Sequence, residues 1–242
     1  MARLARVVVP EIPYHITHRG NRRAHVFLYD TDREAYLAFV ERYCHAHGLH
    51  LWAWCLMSNH IHLVAWPEHK HSISRALGNA HGKYAQWFNA QRSLSGHVWA
   101  NRFYSTPLDN EHLWAAARYV ELNPVRAAIV ARAEDCVWSS AAVHCGLAGA
   151  RNAGHGGMAW PSNPFPGEVS ASGWSAWLEQ ALSAEQVQRI RRTTMTGRPC
   201  GSKDFVTRLE EELQRILQPQ KSGRKPRLAV ENDPTDDLFA NF

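Results

Sequence analysis

Hydrophobic and polar positions in the first half of the chain follow a period of two in some segments and a helical period in others. Residues 14–17 alternate as a half-buried strand does. Residues 49–57 and 60–66 are rich in β-forming side chains, and the polar pair Ser58-Asn59 between them suits a hairpin turn. Residues 97–106 form a further strand-like run. The pattern therefore predicts four strands.

Three segments with helical spacing lie between and after these strands. The first can be capped by Thr31 or Asp32 and runs to about His47, while the second spans residues 72–90. The third covers residues 111–122 and must end near Asn123, because the following Pro124 cannot continue a helix. The order β-α-β-β-α-β-α predicts an α+β fold of the ferredoxin-like (RRM-like) kind, an antiparallel sheet with helices packed on one face.

The composition changes after residue 147. Residues 148–172 are rich in Gly, Ala, Ser, Asn and Pro and predict a linker, because they offer little to bury. Residues 173–218 regain helical periodicity and predict a small helical C-terminal appendage. Residues 219–242 are charged and lack an apolar pattern, so we expect disorder. A domain at 1–147 is thus followed by an extension that we expect to be dispensable for chemistry in that domain.

Composition narrows the class of protein. The chain has 242 residues, 45% of them hydrophobic, and no apolar run as long as a signal peptide or membrane span requires. Its five cysteines are odd in number and form no CxxC pair, so we expect reduced thiols and a cytoplasmic protein without a membrane partner. A formal charge of +5 favours a polyanionic partner such as nucleic acid.

One candidate for chemistry is the triplet His60-Ile61-His62. Residues two apart on a strand project from the same face, roughly 6.5 Å apart along the backbone, so both imidazoles can share one ion. Tyr119 and Asn123 are four residues apart on the third helix and are expected on one face. If that face meets the strand, two imidazoles and one amide oxygen suit Mn²⁺ or Mg²⁺. The competing interpretation is that Tyr119 lies in the core and Asn123 caps the helix.

A zinc site is a second interpretation of the same region. It would use Cys55 with the two histidines, or the cluster at 44–47. The cluster has no second ligand pair. Cys55 is an odd number of residues from both His60 and His62, so we expect it to face away from them unless a turn intervenes.

Three stretches of the sequence carry a family resemblance: PYHITHRGNRR at 13–23, WCLMSNHIHLV at 54–64 and RYVELNPVRA at 118–127. Together they resemble the REP-associated tyrosine transposases, which are IS200-like members of the HUH single-strand nucleases. The resemblance runs from about residue 8 to residue 147. Several such relatives have glycine at the positions of Asn101 and Ala128, which puts loop details in doubt but removes no catalytic group.

The resemblance implies a mechanism and a substrate. Tyr119 would be the nucleophile and form a 5′-phosphotyrosyl link, while His60, His62 and Asn123 would hold a divalent metal, Mg²⁺ or Mn²⁺. The substrate would be single-stranded or hairpin DNA at repetitive extragenic palindromes, cut and rejoined. A non-catalytic hairpin-binding protein or repressor is the competing interpretation, although the intact set of site residues argues against it. The sequence leaves open whether the protein is a monomer or a homodimer.

Residues outside this set are expected to select the DNA. Five basic side chains are candidates for phosphate contacts, and three aromatic ones for base stacking. The basic candidates are Arg19, Arg22, Arg23, Lys83 and Arg102, and the aromatic ones are Tyr14, Trp87 and Phe103.

Overall fold

A four-stranded antiparallel sheet forms the centre of the protein. The computed structural model describes residues 5–147, 171–180 and 182–219. The strand order is β2-β3-β1-β4, and every neighbouring pair is antiparallel. Two helices connect the strands in the order β-α-β-β-α-β, which confirms the predicted α+β, ferredoxin-like class. The strands are β1 (Tyr14–Arg19), β2 (Leu49–Met57), β3 (His60–Pro67) and β4 (Tyr104–Pro107).

The hairpin between β2 and β3 forms where the polar pair predicted it. Met57 pairs with His60, so Ser58 and Asn59 alone make the turn. This turn is held by the chain after β1, since the backbone N–H of Gly20 donates to the Asn59 carbonyl at 2.8 Å. The segment that follows β1 and the start of β3 therefore lie side by side.

Helices α1 (Asp30–Ala46) and α2 (Ser72–Ala90) cover the first face of the sheet. They pack on the inward side chains of three strands, among them Ile16, Trp54 and Ile61. Asp32, itself buried, accepts from the backbone N–H groups of Leu28 and Tyr29 at the start of α1. Asp32 is the third residue of α1, and its bond back to the N–H of the capping residue Tyr29 helps to define where the helix begins.

The second face of the sheet is covered as well, so the expectation of helices on one face was wrong. β2 is buried at eight of its nine positions, and Cys55 and Met57 contribute to a second core on the face opposite Trp54 and Leu56. A sheet that is apolar on both faces must bury both. The helices that follow β4 are α3 (Asn110–Glu121), α4 (Asn123–Arg126), α5 (Ala141–His144), α6 (Ala171–Glu179), α7 (Ala184–Thr196) and α8 (Lys203–Leu213).

The strand-like run at 97–106 is mostly a loop. Only its end belongs to β4, and before it Trp99 makes a single bridge to Gly20. Asn101 has a φ of +53°, in the left-handed region, which breaks the extended backbone that a strand needs. A side-chain pattern does not reveal such a dihedral angle.

The three helices that the structure describes beyond residue 170 lie in or next to residues 173–218, where helices were predicted, and they pack against the first domain. Trp174 and Leu178 of α6 belong to the second core, while Phe205 of α8 packs with Val7 and Val9. Helix α7 contacts β1 and β4. Residues 148–170 and 220–242 lie outside the described residues, so the linker and the disordered tail stay predictions, as does the boundary at residue 147. No helix in the described part of the chain is long and apolar enough to cross a membrane.

Candidate active site

The two strand histidines face the same side of the sheet. His60 and His62 have ring centroids 5.0 Å apart, while Ile61 between them is buried in the core of the other face. This follows from the two-residue period of a strand. Since His60 is the first residue of β3, its ring lies at the edge of the hairpin turn, whereas the ring of His62 is buried further inside.

Tyr119 reaches the same place from α3. Its ring meets the ring of His62 edge-on, with centroids 5.6 Å apart, and meets that of His15 in the same manner at 5.8 Å. Strand β3 and helix α3 therefore bring together the residues that the sequence singled out. Tyr119 is 5% exposed, so its side chain is largely covered rather than lining an open site.

Asn123 begins a new helical turn instead of ending the third helix. α3 stops at Glu121, Leu122 caps it, and Asn123 starts α4 immediately before Pro124. The side-chain amide of Asn123 still lies one turn from Tyr119, because its Nδ2 donates to the Tyr119 carbonyl at 3.2 Å. Since Nδ2 makes that bond, the amide oxygen is the atom that remains to act as a ligand.

The hydrogen bonds of His60 fix which of its ring nitrogens is unprotonated. Asn59 Nδ2 donates to the Arg23 carbonyl at 3.2 Å, so its amide oxygen is the atom 2.6 Å from His60 Nδ1. An amide oxygen only accepts, so His60 Nδ1 carries the proton and Nε2 keeps its lone pair. Metal-binding histidines are commonly oriented in this way by a bond from the other ring nitrogen.

Both histidines are held in the neutral form that a metal requires. Burial, and then the nearby Arg19 guanidinium, lowers the pKa of His60 to about 4. Burial, followed by the neighbouring His15 and His60 rings, holds the pKa of His62 well below its ordinary value of 6.5. Two neutral imidazoles and one amide oxygen are donors that fit a divalent ion.

Three of the five predicted phosphate contacts lie beside this set. Arg19 is exposed and pairs with His60 across β1 and β3, while Arg22 and Arg23 are exposed in the turn that holds the β2–β3 hairpin. Lys83 is exposed on α2, which packs on the opposite face of the sheet, and Arg102 is exposed in the loop before β4. The structure therefore groups the first three with the histidines and leaves the other two apart.

The aromatic side chains expected to stack bases are mostly unsuited to it. Tyr14 is fully buried, and its hydroxyl hydrogen bonds with the backbone of Val9. Phe103 is also buried, with the guanidinium of Arg6 4.0 Å from its ring centroid. Trp87 is partly buried and stacks on Tyr84. Tyr14 in particular was a wrong expectation, because aromatic character alone does not separate core residues from surface ones.

Residues 8–123, which contain every residue of this set, match the family model described as "Transposase IS200 like". Over these residues the chain belongs to the IS200-like transposase family.

A solved structure that is similar to the chain has the same fold. The chain is similar to the "Structure of the REP associates tyrosine transposase bound to a REP hairpin", at 19% sequence identity and a TM-score of 0.52, over 61% of this chain and 87% of that one. It is also similar to a putative transposase from Deinococcus radiodurans R1, at 18% identity and a TM-score of 0.36, over 50% of this chain and 96% of that one. No curated protein matches the chain.

Four residues near Tyr119 in this transposase were not predicted from the sequence. Arg126 places its guanidinium 4.1 Å from the Tyr119 ring centroid and donates to the Tyr119 carbonyl at 2.7 Å. Arg191 Nε lies 3.4 Å from the Tyr119 hydroxyl. His15 and Thr194 form a buried hydrogen-bonded pair behind His62. Arg126 and His15 stand within the stretches that carry the resemblance, whereas nothing in the sequence marks the two residues of α7.

Helix α7 therefore contributes to the surroundings of the site. The expectation that everything beyond residue 147 is dispensable for chemistry assumed that a linker keeps the extension away from Tyr119. Arg191 and Thr194 instead lie against Tyr119 and His15. Contacts between segments about 70 and 180 residues apart in sequence cannot be deduced from local periodicity.

The zinc interpretation gains no support. Cys55 lies on the same face as His62, directly opposite it, because the two-residue turn intervenes between them, which is the exception to the expectation that it faces away. Its thiol contacts Met57 Sδ at 3.7 Å, and burial raises its pKa well above the ordinary value. In the described ranges, no three His, Cys, Asp or Glu side chains are arranged to hold a metal.

Proposed function

We propose that this transposase is a metal-dependent endonuclease that cleaves and rejoins single-stranded DNA at hairpin-forming REP-type palindromes, with Tyr119 as nucleophile. The observation that carries the proposal is the contact of the Tyr119 ring with His62, beside His60, across two separate elements of the fold. The phenol of Tyr119 can act as a nucleophile, and the two neutral imidazoles beside it can bind a metal ion in the same site.

In the proposed reaction the phenol oxygen of Tyr119 replaces one oxygen of a DNA phosphodiester. The Tyr119 oxygen attacks the phosphorus of a phosphodiester and loses its proton, while the bond to the 3′ oxygen breaks and that oxygen takes up a proton. The products are a 5′-phosphotyrosine and a free 3′-hydroxyl. Attack of a 3′-hydroxyl on the phosphotyrosine reverses the exchange and releases Tyr119. One phosphoester replaces another at each step, so no external energy source is needed.

His60, His62 and Asn123 are the residues that would hold Mn²⁺ or Mg²⁺. When bound, such an ion polarises the phosphate and stabilises the charge that develops on its oxygens. The protein supplies two further cations close to the nucleophile: Arg126 over the Tyr119 ring and Arg191 beside its hydroxyl. Positive charge at this distance favours binding of the phosphate and stabilises negative charge on its oxygens.

The proposed substrate rests on an exposed basic cluster and on the similarity to REP-associated transposases. Arg19, Arg22 and Arg23 form an exposed basic cluster at the end of β1, adjacent to His60. Such a cluster binds the DNA backbone without reading sequence. A hairpin is favoured because the three motif stretches resemble the REP-associated members, and because the solved relative with a TM-score of 0.52 is described as bound to a REP hairpin.

The test is formation of a covalent protein–DNA adduct. The protein is incubated with 5′-labelled and 3′-labelled hairpins that carry single-stranded flanks, in Mn²⁺, in Mg²⁺ and in chelator. Label from the segment 3′ of the cut is expected to migrate with the protein in metal only, and peptide mapping should place it on Tyr119. Tyr119→Phe serves as the control, since it removes one partly exposed hydrogen bond to Arg191 and should still fold and bind hairpin DNA. An adduct that persists in Tyr119→Phe would assign the nucleophile to another residue.

A non-catalytic hairpin-binding protein is the second candidate, and one observation favours it. Tyr119 is only 5% exposed, so a phosphate meets little of its side chain in the structure as it stands. The same experiment separates the two candidates. A protein that shifts hairpin DNA in a gel but forms no adduct in any divalent metal is a binding protein.

A further inference from the structure

A chain of three hydrogen bonds runs from the site to helix α7. His62 Nδ1 lies 3.0 Å from His15 Nε2, and His15 Nδ1 lies 2.8 Å from Thr194 Oγ1. The Thr194 hydroxyl in turn lies 2.7 Å from the carbonyl oxygen of Ile190, one turn earlier on α7. All three side chains are buried, so water does not complete their hydrogen bonds.

The chemistry of these groups gives the chain one direction. A carbonyl oxygen only accepts, so the single proton of the Thr194 hydroxyl is donated to Ile190. Thr194 Oγ1 must then accept from His15 Nδ1. A neutral imidazole carries one N–H, so His15 Nε2 is an acceptor, and its partner His62 Nδ1 must be the donor. His62 is thereby left with an unprotonated Nε2.

We infer that Thr194 and His15 are positioning residues that fix His62 in the tautomer a metal needs. The metal part of this inference rests on the proposed function. His60 reaches the same tautomer through Asn59, within the hairpin, but His62 depends on a residue of the C-terminal extension. The extension thus completes the hydrogen-bonding shell of the site, although it lies beyond the family match at residues 8–123.

Packing alone is the competing explanation. The rings of His15 and His62 are stacked at 5.2 Å and nearly parallel, so they also fill space. Thr194→Val keeps the shape of the side chain and removes only the hydroxyl, which separates the two explanations. Thr194→Ser restores the hydroxyl. Thr196→Val is the matched control, because Thr196 also donates to a carbonyl one turn earlier on α7 but is exposed.

The first measurement uses metal-free protein. Long-range ¹H–¹⁵N spectra of the histidine side chains report which ring nitrogen is protonated. We expect His62 to be protonated on Nδ1 in the wild type, in Thr194→Ser and in Thr196→Val, and to lose this single tautomer in Thr194→Val. Because the wild-type spectrum tests the inference by itself, it remains testable if Thr194→Val fails to fold. A wild-type His62 protonated on Nε2 would overturn it.

The second measurement is a calorimetric titration of the full chain with Mn²⁺, alongside a gel shift with hairpin DNA in chelator. Loss of an outer hydrogen bond to a metal-binding histidine typically weakens metal affinity about 10- to 100-fold. We expect a loss in this range for Thr194→Val, little change in Thr194→Ser and Thr196→Val, and unchanged hairpin binding throughout. Equal Mn²⁺ affinity in Thr194→Val and the wild type would refute the positioning role. Neither readout requires DNA cleavage, so a wild type that forms no covalent adduct would reject the nuclease proposal alone.

Discussion

Three buried histidines predict that the metal-free protein is sensitive to acid. His15, His62 and His81 are 1%, 7% and 4% exposed. Burial, and next Arg126, lowers the pKa of His15 to about 3. Burial holds the pKa of His62 and of His81 well below 6.5, with the neighbouring His15 and His18 as the next causes. In the unfolded chain each would take up a proton near pH 6.5.

The sign and size of the effect follow from proton linkage. These pKa values are lower in the folded state, so the unfolded state binds more protons below pH 6.5. Stability is complete above that pH and falls as the pH drops toward the folded values. At pH 5, His15, whose pKa in the folded protein is about 3, costs about 2 kcal/mol, which is 1.5 pH units at 1.36 kcal/mol per unit. His62 and His81 add to this loss in the same direction, so the loss is a large part of the 5 to 15 kcal/mol typical of a domain.

Urea unfolding of the metal-free protein at pH 7 and at pH 5 measures this loss. His81→Gln should reduce the loss, since one of the three groups no longer titrates. His97→Gln is the control, because the side chain of His97 is exposed and stays in water in both states. Equal unfolding free energies at the two pH values, or an NMR titration showing His81 protonated at pH 5, would refute the argument.

Two further predictions concern stability. Ala128 has a φ of +54°, which glycine adopts without strain, whereas the neighbouring Ala127 has a φ of −90°. Ala128→Gly should therefore stabilise the protein by about 0.5 kcal/mol, and Ala127→Gly should destabilise it by about 0.5 to 1 kcal/mol. The midpoints of urea unfolding should shift in opposite directions. Shifts in the same direction would contradict this. Truncation after residue 147 removes Trp174 and Leu178 from the second core. The shortened chain should therefore lose at least about 3 kcal/mol of unfolding free energy. Full retention of stability would show that α6 is not part of that core.

Much of the fold could be predicted because the information is local. The alternation along β1 and β3 places His60 and His62 on one face, and the two-residue turn at Ser58 and Asn59 defines the hairpin. Asn101, where several resembling relatives have glycine, has a positive φ that interrupts the strand-like run before β4 begins. Glycine adopts such an angle without strain, so the departure from the family pattern marked a left-handed position rather than a change in chemistry.

The parts that could not be predicted depend on contacts between distant segments. The face of Cys55 depended on whether a turn lies between it and the histidines, and the hairpin register places it opposite His62. Thr194 and Arg191 approach the site from a helix with no motif of its own. Periodicity shows which side of a helix is buried but not which residue it will meet.

The placement of Tyr119 also depends on what lies behind its helix. Tyr119 and Glu121 are two residues apart, about 200° around the axis, so they point in nearly opposite directions. The Glu121 carboxylate is 0% exposed and accepts hydrogen bonds from Ser140, from His144 at 2.6 Å and from Trp174 at 2.8 Å. Rotation of α3 that moved Tyr119 away from the histidines would break these bonds and strand a buried charge, which costs several kcal/mol. Because all three donors lie beyond residue 123, the rotational setting of the nucleophile depends on a part of the chain that the family model does not cover.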